Sequence, residues 1–178
     1  RWGTRLSSGY GLDMREMYSG YQAVTPDFQK SMKWTTDSGR FVTDADLEYA
    51  TSVCVLGKGA MMELYGEEDP VGQEIRIQGN RFTVIGVMEE RGNSLRYGFS
   101  FDDTVFIPLT TAQQRFTGND YISSLSVQAK SVDRVQKAMA EASAVIKSRH
   151  RGEEFFDTRD VASGLDFVLK INKIIKIL

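Results

Sequence analysis

One cysteine, one histidine and three prolines are all that the 178 residues contain of these types. A lone Cys54 excludes an internal disulfide. With His150 as the sole imidazole, no Cys/His set exists to ligate zinc. A histidine-based triad would have to use His150, inside the charged run Arg149-His150-Arg151, and no Gly-x-Ser-x-Gly nucleophile elbow occurs. Charge of one sign is also missing: 22 Lys and Arg face 24 Asp and Glu, a formal net charge of -2. The densest basic cluster, 149–151, is too small to track a phosphate backbone, which argues against nucleic acid as a partner. It reads as a solvated helix end, where cations offset the negative pole of the helix. No stretch reaches the ~20 apolar residues of a membrane-spanning helix. Arg1-Trp2-Gly3 is followed by no apolar h-region and there is no initiating Met, so the chain reads as a piece of a longer protein.

What remains is ordinary globular composition, 41% hydrophobic and 26% charged, at a length suited to one domain, with two lobes at most. Val53-Cys54-Val55-Leu56 reads as a buried strand, with Cys54 a small core thiol. Gly57-Lys58-Gly59 then leads into a helix, Ala60 to Tyr65, stopped by Gly66. In Asp69-Pro70-Val71-Gly72, Pro70 fixes φ and Gly72 is free to take a positive φ, so this reads as a turn. Glu74–Ile77 and Phe82–Ile85 flank Gln78-Gly79-Asn80-Arg81. A two-residue Gly79-Asn80 loop of type II′ would pair Ile77 with Phe82 and Ile75 with Val84. Gly86 marks a bulge or a crowded approach in the second strand.

Around this centre the pattern is mixed. Residues 1–20 read as loop or weak edge structure. Tyr21–Val24 reads as a strand, Asp27–Met32 as a helical turn, Ser38-Gly39-Arg40 as a turn, and Asp44-Ala45-Asp46 as the opening of a short helix. A long polar loop over 91–100 precedes a strand at Thr104–Ile107, ended by Pro108. Thr110 or Thr111 is placed to cap a short helix to Phe116. Tyr121 to Ala129 alternates like a strand. Ser131 caps a helix with Val132, Val135, Met139, Ala142 and Ile146 on one face. Phe155-Phe156 and Val161 point to one more extended segment. From Leu165 the pattern is helical again, with Val168, Ile171, Ile175 and Leu178 forming a seam. That uncapped helix fits either a stalk continuing toward a membrane or an amphipathic helix docked on the domain. The sum is α+β, built largely of antiparallel pairs.

Chemistry is sparse. The Gly57-Lys58-Gly59 turn at a helix N-terminus has the form of a phosphate cradle, but the spacing and the Ser or Thr of a full phosphate loop are absent. Acidic pairs at Asp44/Asp46, Glu67/Glu68/Asp69, Glu89/Glu90, Asp102/Asp103 and Glu153/Glu154 lack calcium-loop spacing and read as solvated turn acids. No cofactor site is visible.

Taken in order, Val24-Thr25-Pro26-Asp27-Phe28, Gly39-Arg40-Phe41, Asp44–Asp46, Val53-Cys54-Val55-Leu56-Gly57, Leu64-Tyr65-Gly66, Asp69-Pro70-Val71-Gly72-Gln73, Ile75-Arg76-Ile77, Phe82-Thr83-Val84-Ile85-Gly86-Val87, Ile107-Pro108-Leu109 and Arg149-His150 form a set. From Val24 to His150 this set resembles the periplasmic core domain of MacB-like ABC transporter permeases. Residues 1–20 carry no part of the resemblance. It implies a domain outside the bacterial inner membrane, held by helices at both ends, in a homodimer formed through the membrane part. It further implies an ATPase in a separate domain or subunit and, in some members, a periplasmic adaptor and an outer-membrane channel. Gly39, Arg40, Asp69, Pro70, Gly72, Gly79 and Gly86 would be its structural motif. Two lobes are implied: residues 1–45 with 121–162 membrane-proximal, and 46–120 inserted between them. Residues 163–178 would begin the stalk, which favours the stalk reading of the Val168–Leu178 seam. Two other classes stay open: an enzyme holding a phosphorylated ligand or nucleotide at Gly57–Gly59, and a free-standing interaction domain.

Overall fold

The computed structural model describes residues 4–9, 14–92, 100–151 and 156–158. The expected strand near Phe155–Val161 and the helix from Leu165 with its seam, Val168, Ile171, Ile175 and Leu178, lie largely or wholly outside the described residues. The chain divides into two compact units, Arg1–Ser124 and Leu125–Leu178.

The first unit is built on eight strands: β1 (Thr4–Ser8), β2 (Arg15–Ser19), β3 (Tyr21–Val24), β4 (Thr36–Gly39), β5 (Val53–Leu56), β6 (Glu74–Ile77), β7 (Asn80–Met88) and β8 (Val105–Pro108). Their order is β2-β1-β6-β7-β5-β8-β3, with β4 added onto β7. Two pairings, β3 with β8 and β5 with β7, are parallel, and the others are antiparallel. The expected α+β class therefore holds. Gly20 alone joins β2 to β3, so the two ends of the strand order are brought together and the sheet curls back on itself. A single buried cluster takes side chains from every strand of that order. Leu6, Met17, Cys54, Leu56, Ile75, Ile77, Phe82, Val84, Val105 and Ile107 meet there, with Tyr21 and Ala23 packed against them.

Helix α3 (Lys58–Tyr65) adds Ala60, Leu64 and Tyr65 to this cluster and ends at Gly66, whose φ of 66° only glycine adopts readily. The alternate residues of β5 and β8, Val55 and Phe106, face the opposite way. There Phe106 meets Trp34, Phe28 and Phe41, with Trp34 edge-on at 5.6 Å between ring centroids. Helix α1 (Asp27–Met32) packs Phe28 and Met32 against this second cluster. Helices α2 (Asp44–Glu48) and α4 (Leu109–Ala112) complete the unit.

Several expectations are corrected. Residues 4–8 and 15–19 form two paired strands, with β1 also laddered to β6 across about seventy residues of sequence. Ser38-Gly39 ends a strand rather than making a turn, because main-chain pairing with β7 outweighs a polar sequence. α4 starts at Leu109 behind Pro108. The Thr110 and Thr111 hydroxyls donate instead to Leu47 O (2.7 Å) and Thr51 O (2.8 Å), tying α4 to α2 and its exit. Strands from both sides of residue 46 share one sheet, so 1–45 and 46–120 are not separate bodies within this unit.

The hairpin expected over 74–85 exists, but its register is shifted. Gln78-Gly79 forms the two-residue loop with φ of 49° and 83°, and Ile77 faces Asn80 while Ile75 faces Phe82. Positive φ at both positions is a type I′ turn, whose twist matches that of the strands. Replacing Gln78 by Asn, which tolerates the left-handed region better, is expected to raise stability by about 0.5 kcal/mol and Tm by ~1–2 °C. A thermal melt showing no gain or a loss would contradict this reading of the turn.

In the second unit, Ser131 leads into a 3-10 turn at Val132–Arg134 and then helix α5 (Val135–Arg149). Ser131 makes no side-chain capping bond. Val135, Met139, Ala142 and Ile146 are half-buried, as the expected helix face requires, while Val132 is exposed. Tyr121–Ala129 is not part of any ladder among the described residues, contrary to expectation.

Candidate functional site

The glycines of the expected motif play distinct parts. Gly39 and Gly86 face each other across β4 and β7, where main chain crosses main chain. A Cβ on Gly86 would stand 3.0 Å from both Arg40 N and Ser38 O and nearer still to Arg40 O. A Cβ on Gly39, whose φ is +68°, would stand 2.8 Å from Gly86 Cα. Here β5 also changes register against β7: Cys54 faces Val84, Val55 faces Gly86, and Ile85 is skipped. The expected bulge and the expected crowded approach are thus one feature. Gly72 and Gly79 lie in open turns. Asp69 Oδ1 accepts from Val71 N (3.0 Å) and Pro70 O from Gln73 N (2.9 Å), with Gly72 at φ 88° between them. This turn delivers Gly72 N to Val84 O (2.8 Å), pinning the start of β6 beside β7.

Arg40, next to the crossing, clamps Asp46. Nη1 donates to Oδ2 at 2.6 Å and Nη2 to Oδ1 at 3.2 Å. Thr43 adds its main-chain N–H (2.9 Å) and hydroxyl (2.7 Å), and Thr51 its hydroxyl (2.8 Å). Asp46 is buried while the Arg40 side chain is half-exposed. Burial by itself pushes the carboxyl upward. The bonds from Arg40, Thr43 and Thr51 outweigh it and hold the group well below the usual carboxylate range. The expectation of solvated turn acids is therefore wrong at Asp46, and also at Asp102. The buried Asp102 carboxylate accepts from Arg91 N (2.9 Å) and Gly92 N (2.7 Å).

The Gly57-Lys58-Gly59 turn does not hold open an anion site. Gly57 N donates to Thr104 O (2.8 Å) and Ala60 N to Asp102 O (2.9 Å). A Cβ on Gly57 would lie 2.6 Å from Phe101 O, and one on Gly59 would overlap the Asp103 carboxylate. Main chain of 101–103 and the Asp103 carboxylate crowd Gly57 and Gly59, the Gly57 and Ala60 N–H groups are already engaged, and Lys58 Nζ is held by Asp37 at 2.7 Å. These glycines are present because segment 101–103 lies against them.

Cys54 is fully buried, and burial pushes its thiol up, away from the reactive thiolate. It should resist an aromatic disulfide reagent in the native protein and react at once in urea. Fast native labelling would contradict its placement. Among the described residues, no group of three or more His, Cys, Asp or Glu is arranged to hold a metal ion, and no helix is long and apolar enough to cross a membrane.

The architecture is that of the outer domains of ABC-type transporters. It matches the solved periplasmic region of MacB from Actinobacillus actinomycetemcomitans with a TM-score of 0.74 at 19% identity, covering 95% of this chain and 72% of that one. It also matches the extracellular domain of the noncanonic ABC-type transporter YknZ from Gram-positive bacteria, with a TM-score of 0.67 at 22% identity, covering 89% of this chain and 78% of that one. Residues 3–145 match the family described as MacB-like periplasmic core domain, and the chain belongs to that family. Among its relatives are the proteins named macrolide export ATP-binding/permease protein MacB of Rhodospirillum rubrum, 34% identical over 172 residues, and of Wolinella succinogenes, 31% identical over 173. These alignments cover 93% and 97% of this chain but 26% of each relative, so the chain spans about a quarter of their length. The family match begins at residue 3, so it takes in β1 and β2, which the sequence resemblance left out.

Proposed function

We propose that this chain works as the outer, mechanical module of a MacB-like ABC exporter permease anchored in the inner membrane. ATP hydrolysis is assigned to a separate nucleotide-binding domain or subunit, and a second permease copy to a dimer formed through the membrane part. A periplasmic adaptor and an outer-membrane channel are the partners this reading favours. Residues 163–178 are assigned to the start of the stalk. The observation that carries the reading is the family match over 3–145, within relatives about four times longer that are named as both ATP-binding proteins and permeases. In support, the Gly57-Lys58-Gly59 turn is crowded by the main chain of 101–103, which explains its glycines without a ligand. An exporter module needs no reaction centre but does need a stiff body to transmit motion.

The test is spin labelling at Tyr49, which is exposed on the first unit, in the intact permease reconstituted with its ATPase. The distance between the two labels of a dimer should shift between nucleotide-free and vanadate-trapped states. An unchanged distance distribution would count against a transmitting role. A coding sequence with no apolar spans of ~20 residues beside this region would remove the permease reading altogether.

A further inference from the structure

We propose that the cleft beside Gly20, where the chain passes from β2 to β3, is a binding site for a small molecule carrying a primary ammonium group. Binding there would need this chain alone, so it stands apart from the permease reading. The cleft has a volume of about 410 Å³ and lies within the first unit. That is at the lower end of the ~300–1,000 Å³ common for ligand pockets and far above the ~30 Å³ share of one water. Its walls are fixed by main chain. Val105 N donates to Gly20 O at 3.2 Å, and the Ser19 hydroxyl donates to Asp103 O.

Unmet hydrogen bonds and charge together select the ligand. Among the described residues, two buried side-chain polar atoms lack a hydrogen-bond partner, Gln22 Oε1 and Ser100 Oγ, and both residues line this cleft. Both residues are held in place. Gln22 lies on β3 in register with Phe106 of β8, and Ser100 O accepts from the Thr104 hydroxyl at 2.9 Å. A buried acceptor without a donor costs stability, so a group that supplies N–H or O–H is wanted here. Asp103 also lines the cleft, and among the described residues no Lys, Arg or His does. A donor that is also positive fits both facts, and an ammonium has three N–H donors and no acceptor. Tyr18 and Tyr21 add ring surface, which suits a cation or its apolar tail. A phosphate or carboxylate ligand would set further acceptors against Gln22 Oε1 and an acidic residue.

Titration of the isotope-labelled chain with n-butylammonium chloride at neutral pH, followed by NMR, tests this. The Gln22 side-chain amide and the Ser100 and Thr104 main-chain N–H signals should shift saturably, with a Kd on the order of 1 mM for so few ligand atoms. Butyrate should not bind. Tetramethylammonium, a cation with no N–H, should bind at least about tenfold more weakly. Gln22→Met replaces the unmet acceptor by an apolar chain of similar length. It should abolish the saturable shifts and yet raise Tm of the unliganded chain by ~1–3 °C, which the loss of a structural contact would not do. Ser100→Ala, a smaller change, should weaken binding severalfold. n-Butylammonium at about ten times its Kd should raise Tm of the parent and leave that of Gln22→Met unchanged. Absence of saturable binding overturns the inference, whether water alone or a side chain of residues 93–99 takes the cleft. So does equal binding of butyrate or tetramethylammonium, unaltered binding by both variants, or a Gln22→Met chain less stable than the parent. None of these outcomes bears on the permease reading.

Discussion

Replacing Gly86 by alanine will lower the stability of the first unit by about 3 kcal/mol or more, one of the two largest single-residue effects expected in this protein. The reason is the nature of what a methyl group would strike. Around Gly86 the obstructing atoms are Arg40 O, Arg40 N and Ser38 O, all main chain, and none can rotate away as a side chain would. Arg40 N also donates to Ile85 O at 2.9 Å, so separating the two segments breaks that bond as well. With a urea m-value near ~2 kcal/mol/M, the midpoint should fall by about 1.5 M. Gly39→Ala should cost a similar amount, because its φ of +68° is added to the same crowding. The double variant should cost less than the sum, since both methyls force open one gap. Gly20→Ala is the control: nothing lies within 4 Å of its Cβ position, and stability should change by less than about 0.5 kcal/mol. If Gly86→Ala melts like the parent, the tight crossing of β4 and β7 is not present in solution.

That crossing also shows which parts of this fold are legible in sequence. β5, β7 and β8 announce themselves as apolar runs, and α3 by its glycine stop. Each depends on a pattern within a dozen residues. β4, by contrast, is Thr36-Asp37-Ser38-Gly39, with no apolar residue. It is a strand because Gly39 and Gly86 allow its backbone to lie on β7, a cause located nearly fifty residues away. β1 is hidden for the same reason: only its Leu6, Ser7 and Ser8 are buried and it is laddered to the distant β6, while β2, with Met17 alone buried, is laddered to β1. The hairpin register differs by one residue from that of a Gly79-Asn80 loop because Gln78 itself takes the left-handed conformation, which its residue type does not announce.

The candidate site was legible in its glycines and not in its acids. Gly86 was readable as crowded, since a glycine inside an apolar strand invites that reading. The burial of Asp102 was not, because its donors are the main-chain N–H groups of Arg91 and Gly92, which any sequence would offer. Asp46 did carry a signal. Thr43 stands three residues before it, the spacing of a capping box, and both reciprocal contacts of that motif are present. Arg40, six residues upstream of Asp46, then supplies the countercharge that makes burial tolerable.

Removing that countercharged carboxylate is the second large effect. Asp46→Ala is expected to cost about 3 kcal/mol, the low end for breaking a buried ion pair, because Arg40 is half-exposed and regains water when its partner is lost. The remaining loss comes from the Thr43 N–H and the Thr43 and Thr51 hydroxyls, which must find other acceptors in a confined space. Asp46→Asn should cost less, since an amide oxygen still accepts from the threonines while the charge is gone. The sign of the pH dependence follows from the lowered carboxyl. The unfolded chain takes up the proton first, near the ordinary value of ~3.9, so the carboxylate stabilises the fold fully above about pH 5 and progressively less as pH falls below that. Urea midpoints measured at pH 7, 5, 4 and 3 should therefore fall more steeply for the parent than for Asp46→Asn, with the two curves converging in acid. Curves that stay parallel would mean that Asp46 titrates alike in both states and that the Arg40 clamp contributes nothing beyond packing.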